Sequence, residues 1–402
     1  MAGLSRVEQE VIGGLSHDAM LARTRAWSAV NSGTGNVAGL AQVAGMLADA
    51  FSVLPGELRL VEPSHAERIG VDGRVSDIAN GRHLHLSVRP EAPIRMLFTG
   101  HMDTVYPPDH SFQTLADLDD GTLGGPGVAD MKGGLSVMLG ALETIEASGA
   151  PPKLGYDIVV NSDEETGSFS SAALLAEVAA GKVAALTYEP ALADGTLAGA
   201  RGGTGNFSIV VTGRSAHAGR NPEEGRNAVV AAAEIAVRLA AEGGPALAVN
   251  PAKIDGGGPN NVVPDSAVLR INFRPKAAAE IERARAAIDR ITREVAAARD
   301  VGVHVHGSFN RPPKPIDPGA GKLFALVKDA GADLGLSIAW RDTGGVCDGN
   351  NIAACGVPVV DTMGVRGGAI HSPQEFMIPE SLVERAALSA VTILRIAERG
   401  RP

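Results

Sequence analysis

The sequence is poor in aromatic residues, in cysteine and in long hydrophobic runs. Aromatic residues make up 3% of the 402 residues, so the chain has few side chains on which nucleic-acid bases could stack. The only two cysteines are Cys347 and Cys355, which excludes a fold built on a disulfide framework. No segment continues long enough without charged or helix-breaking residues to span a bilayer. We therefore expect a protein that is not membrane-bound and does not depend on disulfides.

Positive charge is also in the minority. Lys and Arg number 36 against 46 Asp and Glu, giving a formal net charge of −10, which disfavours a nucleic-acid partner. The first 20 residues include Glu8, Glu10 and Asp18 and contain no long apolar core, unlike a secretory signal. We expect a cytoplasmic location, and a periplasmic one only if a leader was removed from the natural product.

What the chain does contain is an alternation of strand-like and helix-like patterns. Apolar runs at 94–99, 156–161 and 183–188 predict buried strands, and apolar residues at helical spacing predict helices over 5–30 and 132–147. A chain of 402 residues is too long for one ordinary core. The alternation predicts an α/β fold with a mixed, largely parallel sheet flanked by helices.

The pattern changes near residue 203. Residues 206–213 and 264–274 alternate apolar and polar with period two, and 301–307 is a short β-branched run. Two Ala-rich helical patterns, over 225–242 and 276–299, lie between these segments. This order predicts a small ferredoxin-like α+β domain inserted into the first one.

The α/β pattern resumes after the Arg-Pro-Pro run at 311–313. We therefore predict a catalytic domain formed by residues 1–202 and 311–402, with residues 203–310 as an inserted lid and dimerisation domain.

A histidine and an aspartate, His101 and Asp103, follow the strand predicted at 94–99. Side chains at i and i+2 of an extended segment point to the same side, and open α/β sheets bind ligands at the carboxyl ends of strands. A metal-binding histidine usually donates its other ring N–H to a carboxylate or a carbonyl. Taken alone, the pair is more typical of a surface histidine followed by a turn-capping aspartate.

Four further motifs at strand ends or loop starts change that balance. They contain Asp130, the adjacent pair Glu164 and Glu165, Glu189, and His371. Zinc accepts nitrogen and oxygen ligands, and two histidines with three carboxylates suit two ions that share one carboxylate, leaving a further carboxylate to move a proton. Each motif alone has an ordinary structural explanation, such as an acidic turn or a helix cap. Their joint occurrence favours a metal site.

The five motifs resemble the co-catalytic di-zinc family of carboxypeptidase G, aminoacylase, acetylornithine deacetylase and succinyl-diaminopimelate desuccinylase. The resemblance covers essentially the whole chain, and glutamate carboxypeptidases of the carboxypeptidase G type are most similar. It implies two Zn²⁺ per chain, with Co²⁺ or Mn²⁺ as substitutes. The implied catalytic residues are Glu164 as general base and Asp103, which orients His101. The implied metal ligands are His101 and Glu189 on one ion, Glu165 and His371 on the other, and Asp130 bridging both.

The resemblance extends to the inserted segment. His217 lies in a motif, residues 212–219, whose histidine reaches the partner subunit's active site in this family and helps to hold the scissile carbonyl oxygen. This implies a homodimer formed through the lid. Asn261 and Arg274 match lid positions that contact substrate. The competing interpretations are a loop histidine for His217 and a solvated strand-end charge for Arg274.

Further residues are implied to hold the substrate's carboxylate. Arg311 falls at a hinge position where the carboxypeptidase G group has an arginine with this role, and backbone N–H groups around Gly367 and Gly368 would assist. The chain also departs from that group, because Cys347 replaces a pocket threonine and no lysine or serine for a glutamate side chain occurs between residues 191 and 200. Glutamate specificity is therefore not implied.

We expect a zinc-dependent hydrolase that cleaves an amide bond and releases an amino acid from a peptide or N-acyl substrate with a free carboxylate. A water bridging the two ions would be the nucleophile, with Glu164 as its base. Two alternatives stay open. One is a biosynthetic deacetylase or desuccinylase of the same family, and the other is a metal-binding homologue without activity. Retention of Glu164 argues against the second, because a structural site has no use for an unliganded base.

Overall fold

A computed structural model describes residues 3–149 and 153–402. The helix predicted over 5–30 is wrong in one respect, since it consists of two helices. Ser16 accepts a hydrogen bond from the backbone N–H of Ala19 and so begins a second helix after the Gly13-Gly14 turn. The helices are α1 (Arg6–Gly13), α2 (His17–Ser28), α3 (Val37–Phe51), α4 (Gly133–Ala147), α5 (Ala172–Ala179), α6 (Ala228–Ala240), α7 (Ala278–Arg299), α8 (Pro318–Asp333), α9 (Asp348–Ala354) and α10 (Ser381–Arg399).

The strands form a six-stranded sheet, a four-stranded sheet, a five-stranded accessory sheet of very short strands and two two-stranded sheets. They are β1 (Glu57–Val61), β2 (Glu67–Ile69), β3 (Val75–Asp77), β4 (His83–Val88), β5 (Ile94–His101), β6 (Ala116–Asp117), β7 (Leu123–Gly124), β8 (Leu154–Asn161), β9 (Ala184–Thr187), β10 (Ala191–Leu192), β11 (Leu197–Arg201), β12 (Thr204–Thr212), β13 (Leu247–Gly256), β14 (Ser266–Pro275), β15 (Gly302–Arg311), β16 (Trp340–Thr343), β17 (Val359–Val360), β18 (Arg366–Gly368) and β19 (Phe376–Met377).

The largest sheet has six strands in the order β1-β4-β8-β5-β9-β17. The neighbours β8, β5, β9 and β17 are parallel, whereas β1 and β4 join antiparallel at one edge, so the predicted mixed, largely parallel sheet is confirmed. Strand β8 is buried at every position, and apart from Asp157 and Asn161 its residues are apolar, as expected of a strand covered on both faces. Helices α4 and α10 contribute buried side chains to the same core.

The second sheet has four antiparallel strands in the order β13-β14-β12-β15. With α6 and α7 between them in sequence, these strands have the β-α-β-β-α-β order that the sequence predicts. Their buried side chains form a hydrophobic cluster of their own, which includes the rings of Phe207, Phe273 and Phe309, 5.2 to 5.8 Å apart. Truncating such a buried Phe to Ala typically costs about 3–5 kcal/mol.

The four-stranded unit is connected to the rest of the chain by two adjacent segments. Thr204 at the start of β12 pairs with Arg311 at the end of β15. The side-chain amide of Asn350, on α9, donates to the carbonyl oxygens of both Gly202 (2.9 Å) and Pro312 (2.8 Å). One side chain therefore binds both connections at the point where they enter and leave the four-stranded unit.

A short hairpin, β2–β3, lies against the four-stranded sheet. Arg270 on β14 donates to the carbonyl oxygens of Ile69 (2.8 Å) and Gly70 (2.9 Å) at the tip of that hairpin. None of the helices in the described ranges is long and apolar enough to cross a membrane.

Candidate metal centre and active-site cleft

The predicted site residues converge at the carboxyl ends of three neighbouring parallel strands. His101 ends β5 and pairs with Asn161 at the end of β8, which the Glu164–Glu165 turn follows. Strand β9, on the other side of β5, is followed by Glu189. Because strands β8, β5 and β9 are adjacent, motifs that are far apart in sequence meet at one edge of the sheet.

Asp130 lies between the two histidines. Its Oδ1 is 3.0 Å from Nε2 of His101, and its Oδ2 is 3.2 Å from Nε2 of His371. The same nitrogen of His371 lies 3.1 Å from Oε2 of Glu165, and that of His101 lies 3.8 Å from Oε1 of Glu189. The site therefore consists of two groups of ligand-type atoms that share one carboxylate.

The donor chemistry of these groups fits metal ions. Ligand atoms of His101, Glu164 and Glu189 all lie within 4.8 Å of one another, as do those of His101, Asp130 and Glu165. Two ligands of a tetrahedral zinc, each at its usual bond length, are roughly 3.3 Å apart, which is close to the separations around Asp130. By distance alone Glu164 and Glu189 are both candidates for the ion beside His101.

The electrostatics also fit a cation. Burial and the neighbouring Asp130 carboxylate raise the pKa of Glu165 to about 7. Burial likewise holds the pKa values of Glu164 and Glu189 above their ordinary values. Hydrogen bonds with Asp130 and Glu165 raise the pKa of His371 to about 11. So many buried carboxylates in one place need compensating positive charge, which bound metal ions supply.

Asp103 organises the inner side of the site. Its carboxylate accepts hydrogen bonds from the backbone N–H groups of Glu164 (3.2 Å) and Glu165 (3.1 Å) and from the hydroxyl of Thr34 (2.7 Å). Its backbone oxygen lies 3.0 Å from Nδ1 of His101. With the proton assigned to Nδ1, the lone pair of Nε2 faces Asp130. One buried residue thus fixes both the histidine ring and the Glu164–Glu165 turn.

Arg311 lies beside Glu164 and not at the open end of the cleft. Its Nη2 is 2.7 Å from Oε1 of Glu164 and donates to the backbone oxygen of Glu164 (2.7 Å) and to the hydroxyl of Ser168 (2.9 Å). The contact with Oε1 is an ion pair whose direction does not suit a hydrogen bond. Part of this guanidinium is therefore already engaged within the protein.

A cavity of about 570 Å³ joins the site to the four-stranded unit. Its wall includes the carboxylates described above and, from the four-stranded unit, Asn206 and Arg274. Arg341 and Cys347 also line it. Neither Arg274 nor Arg341 has a carboxylate within ion-pair distance in residues 3–149 and 153–402. Arg274 donates from Nε to the side-chain oxygen of Asn272 (2.8 Å), which leaves its two Nη groups for an anionic group.

Four of the predicted substrate residues lie outside this wall. His217 and Asn261 lie together on the four-stranded unit, where Ala218 N–H donates to the Asn261 carbonyl and Nδ1 of His217 accepts from Gly219 N–H (3.1 Å). Both side chains are exposed. Gly367 and Gly368 pair in the accessory strand β18, close in sequence to Ile370 and His371, which do line the cavity.

Three charged residues around the site were not predicted from the sequence, namely Arg201, Asp361 and Glu375. Arg201 lines the cavity and donates to both oxygens of Asp361 (2.7 and 3.2 Å). Glu375 accepts from backbone N–H groups at Asp130 and from the hydroxyl of Tyr106. Glu375 follows His371 by four residues, and this proximity is the one signal in the sequence that could have identified it.

Comparison with known proteins gives consistent results. The model of the peptidase family M20/M25/M40 matches residues 97–395. Carboxypeptidase G2 of a Pseudomonas species is 30% identical over 307 residues, covering 74% of this chain and 73% of that protein. A succinyl-diaminopimelate desuccinylase of a Psychrobacter species is 29% identical over 299 residues, covering 69% and 73%.

Solved structures share the fold. A tripeptidase from Staphylococcus aureus superposes with a TM-score of 0.73 at 23% identity, covering 96% of this chain and 100% of its own. A metallo-carboxypeptidase of family M20 from Sulfolobus solfataricus gives 0.71 at 13% identity, covering 94% and 99%. At these identities the likeness concerns the fold.

Proposed function

The chain belongs to the peptidase family M20/M25/M40, and from that premise we propose that it is a di-zinc enzyme whose site residues act as set out below. The protein is a metal-dependent hydrolase of peptide or other amide bonds, of the carboxypeptidase and aminoacylase type. Beyond this activity, we propose that two zinc ions bind, that each site residue has a defined role, that the substrate has a free carboxylate and that the protein is a homodimer.

In this proposal His101 and Glu189 bind one zinc ion, Glu165 and His371 bind the other, and Asp130 bridges them. The observation that carries it is the position of Asp130, with one oxygen 3.0 Å from His101 Nε2 and the other 3.2 Å from His371 Nε2. A carboxylate that faces two separate histidines in this way suits two ions better than one. Asp103 holds His101 in the orientation that binding requires.

Zinc ions bound here would supply a Lewis acid for the substrate's carbonyl and would lower the pKa of a water molecule. Glu164 is proposed to take the proton from the attacking water and to pass it to the leaving amine. Its backbone is held by Asp103, and Arg311 lies 2.7 Å from its carboxylate. These contacts keep a buried base in place while one of its oxygens faces the cavity.

We further propose that Arg274 binds the free carboxylate of the substrate, since a guanidinium matches a carboxylate in shape and charge. Arg274 lines the cavity and has no carboxylate partner within the described residues. Arg311, the other candidate, retains donors that could assist, although its Nη2 already contacts Glu164. Backbone N–H groups near Gly367 and Gly368 would need a shift of their turn to contribute.

The test is hydrolysis of a panel of N-acyl amino acids and dipeptides by the protein stripped with a chelator and then supplied with Zn²⁺, Co²⁺ or Mn²⁺. We expect activity only with metal and only on substrates with a free carboxylate, and it should be lost when that carboxylate is amidated. Equal rates on amidated and free substrates would contradict the role of Arg274. A preference for N-succinyl substrates would favour the desuccinylase alternative. Absence of activity with two bound metals would favour a non-catalytic homologue.

We also propose a homodimer in which His217 completes the partner's site. The support is that His217 and Asn261 are exposed and away from their own cavity. Strand β13 is an edge strand, and on α6 the side chains of Val230 and Val237 are 42% and 71% exposed. An unpaired edge beside exposed apolar residues suits a self-complementary two-fold contact.

Complementation tests this arrangement. Chains carrying Glu164→Gln and chains carrying His217→Ala are each expected to be inactive, and after subunit exchange the mixture should recover about one quarter of native activity, because half of the dimers are mixed and each has one intact site. A mixture of Glu164→Gln with Asp130→Ala serves as a control, since it repairs no site if His217 is the only residue supplied in trans. Verified exchange without recovery would show that His217 does not act in the partner.

For location, we propose the cytoplasm. Both cysteines, Cys347 and Cys355, are free thiols, as is usual in a reducing compartment. Fractionation of the producing cells, with a periplasmic marker enzyme as control, tests this proposal.

A further inference from the structure

Glu375 lies four residues after His371, and its side chain points into the protein beneath the metal centre. It is 1% exposed. Its Oε1 accepts hydrogen bonds from the backbone N–H groups of Ala129 (3.0 Å) and Asp130 (3.1 Å). The carboxylate therefore contacts the peptide of the residue that faces both histidines, without lying among the proposed ligands itself.

These backbone N–H groups need a partner from outside their own segment. Asp130 (φ −114°, ψ 90°) and Met131 (φ −137°, ψ 34°) have non-helical backbone angles, so the chain interrupts regular helical hydrogen bonding where it enters α4. A buried N–H without an acceptor is costly. Glu375 supplies the acceptor, and the backbone orientation it selects sets the direction of the Asp130 side chain.

The other oxygen of Glu375 leads to the His371 turn. The hydroxyl of Tyr106 lies 3.0 Å from its Oε2 and 2.8 Å from the carbonyl oxygen of Ser372, so its single proton is shared between these two acceptors. Tyr106 is itself buried, with its ring 5.1 Å from that of Phe112. One connected set of hydrogen bonds, the Glu375–Tyr106 link, thus joins the peptide of Asp130 to the residue after His371.

The His371 turn has few other attachments to the interior. The His371 side chain is 51% exposed, and its φ of 61° places it in the left-handed region. The Ser372 hydroxyl donates to the Ala369 carbonyl oxygen (2.6 Å), a contact that lies within the turn itself. The distance between His371 and Asp130 therefore depends on how Tyr106 and Glu375 hold the turn.

We propose that Glu375, held by Tyr106, is a positioning residue of the metal centre. It fixes the carboxylate of Asp130 and keeps the His371 turn at the separation that two shared ions require. This inference rests on the proposed function, because it takes Asp130 and His371 to be metal ligands. Outer residues that orient ligands typically change metal affinity 10- to 100-fold when they are removed.

The experiment compares Glu375→Ala, Glu375→Gln and Tyr106→Phe with Glu8→Gln as the matched control. Glu8 is also a buried glutamate, and it accepts from a backbone N–H at Ser5 (2.6 Å) and from Arg395 (2.8 Å). It belongs to α1 and caps that helix, so its substitution affects folding only. For each variant we would measure zinc affinity at both sites by chelator competition, the visible spectrum of the Co²⁺ form, kcat and KM, and the Tm of the metal-free protein.

We expect Glu375→Ala to weaken zinc binding roughly 10- to 100-fold and to alter the Co²⁺ spectrum. Tyr106→Phe should act in the same direction but less, mainly on the ion proposed to bind Glu165 and His371. Glu375→Gln keeps an oxygen for the N–H groups and should fall between the two. Glu8→Gln should lower Tm while affinity and spectrum stay native.

Native affinity and a native Co²⁺ spectrum in Glu375→Gln and Tyr106→Phe would overturn the proposal, even if activity or Tm fell. These two variants decide the matter if Glu375→Ala does not fold. Failure of the proposed function would look different, because the unmodified protein would then bind no pair of metal ions.

Discussion

The two histidines of the proposed metal centre differ in how they are held. His101 ends a central strand, is 1% exposed, and has Nδ1 3.0 Å from the backbone oxygen of Asp103. His371 lies in a surface turn and is 51% exposed. Across residues 3–149 and 153–402, no hydrogen bond to Nδ1 of His371 is found. The inner histidine is thus fixed at both ring nitrogens and the outer one at a single nitrogen.

This difference has a consequence for the two ions. A ring already fixed by a hydrogen bond loses little rotamer freedom on binding metal, whereas a mobile surface ring loses more. We therefore expect the ion bound by His101 and Glu189 to be held more tightly than the ion bound by Glu165 and His371. Four variants test this difference in affinity, from the largest expected effect to the smallest.

Asp130→Ala should weaken the binding of both ions, because it removes the carboxylate that the two proposed ligand groups share. We expect less than one tightly held zinc per chain and a loss of activity greater than that of any other single ligand change. Elemental analysis after gel filtration measures the metal, with exposed Asp120→Ala as control. Two retained zinc ions per chain would contradict a shared role for Asp130.

Glu164→Gln should leave both metal sites intact and remove only the general base. The amide keeps the shape of the side chain but cannot accept the proton, so kcat should fall by about 10²–10⁴-fold. Metal content and KM should change little. Near-native turnover in the fully metallated variant would show that Glu164 is not the base.

Asp103→Ala should reduce the difference in zinc affinity between the two ions, by weakening the binding of the ion assigned to His101 and Glu189. It removes a carboxylate oxygen 3.4 Å from Nδ1 of His101 and frees the Glu164–Glu165 turn, while Nδ1 keeps its bond to the backbone oxygen of Asp103. We expect the tighter zinc affinity to fall roughly 10- to 100-fold, towards that of the outer ion. Stepwise removal of zinc by a chelator measures both affinities. An unchanged gap between the two affinities would contradict the role assigned to Asp103.

Ser372→Ala is the corresponding change at the ion proposed to bind Glu165 and His371. It should have the smallest effect on zinc affinity of the three variants that change metal binding. It removes two hydrogen bonds within the His371 turn, from the Ser372 hydroxyl to the Ala369 carbonyl oxygen and from the Gln374 N–H to that hydroxyl. A typical net hydrogen bond corresponds to roughly 2- to 10-fold in affinity, and only the weaker zinc should be affected. The same chelator titration checks it, and a larger loss at the tighter ion would reverse our order of the two sites.

The sequence was most informative where one local pattern determines the structure. Strand β5 and the histidine at its end were predictable because the apolar run stops at Gly100. Strand β13 was missed, since it lies at an edge, contains Pro251, and buries few of its side chains. The short polar hairpin β2–β3 was missed for the same reason, because little of it is buried.

For the site, the residues at strand ends were identifiable from their chemistry and order. What could not be inferred was how distant residues pair inside the fold. Arg311 was predicted to meet substrate, yet its nearest carboxylate is Glu164, 147 positions earlier. The contact of Glu375 with Asp130 spans 245 positions. Such pairings depend on the packing of whole elements, which no local pattern encodes.

The amide of Asn350, which bonds Gly202 and Pro312, has an evolutionary consequence. The chain enters and leaves the four-stranded unit at one point, so the segment between can change in length or be exchanged without altering the path of the remaining strands. Related enzymes could therefore acquire new outer segments by recombination at this junction, while inheriting the metal centre unchanged. A chimaera that joins a foreign four-stranded unit at these two residues should keep the metal content of the parent.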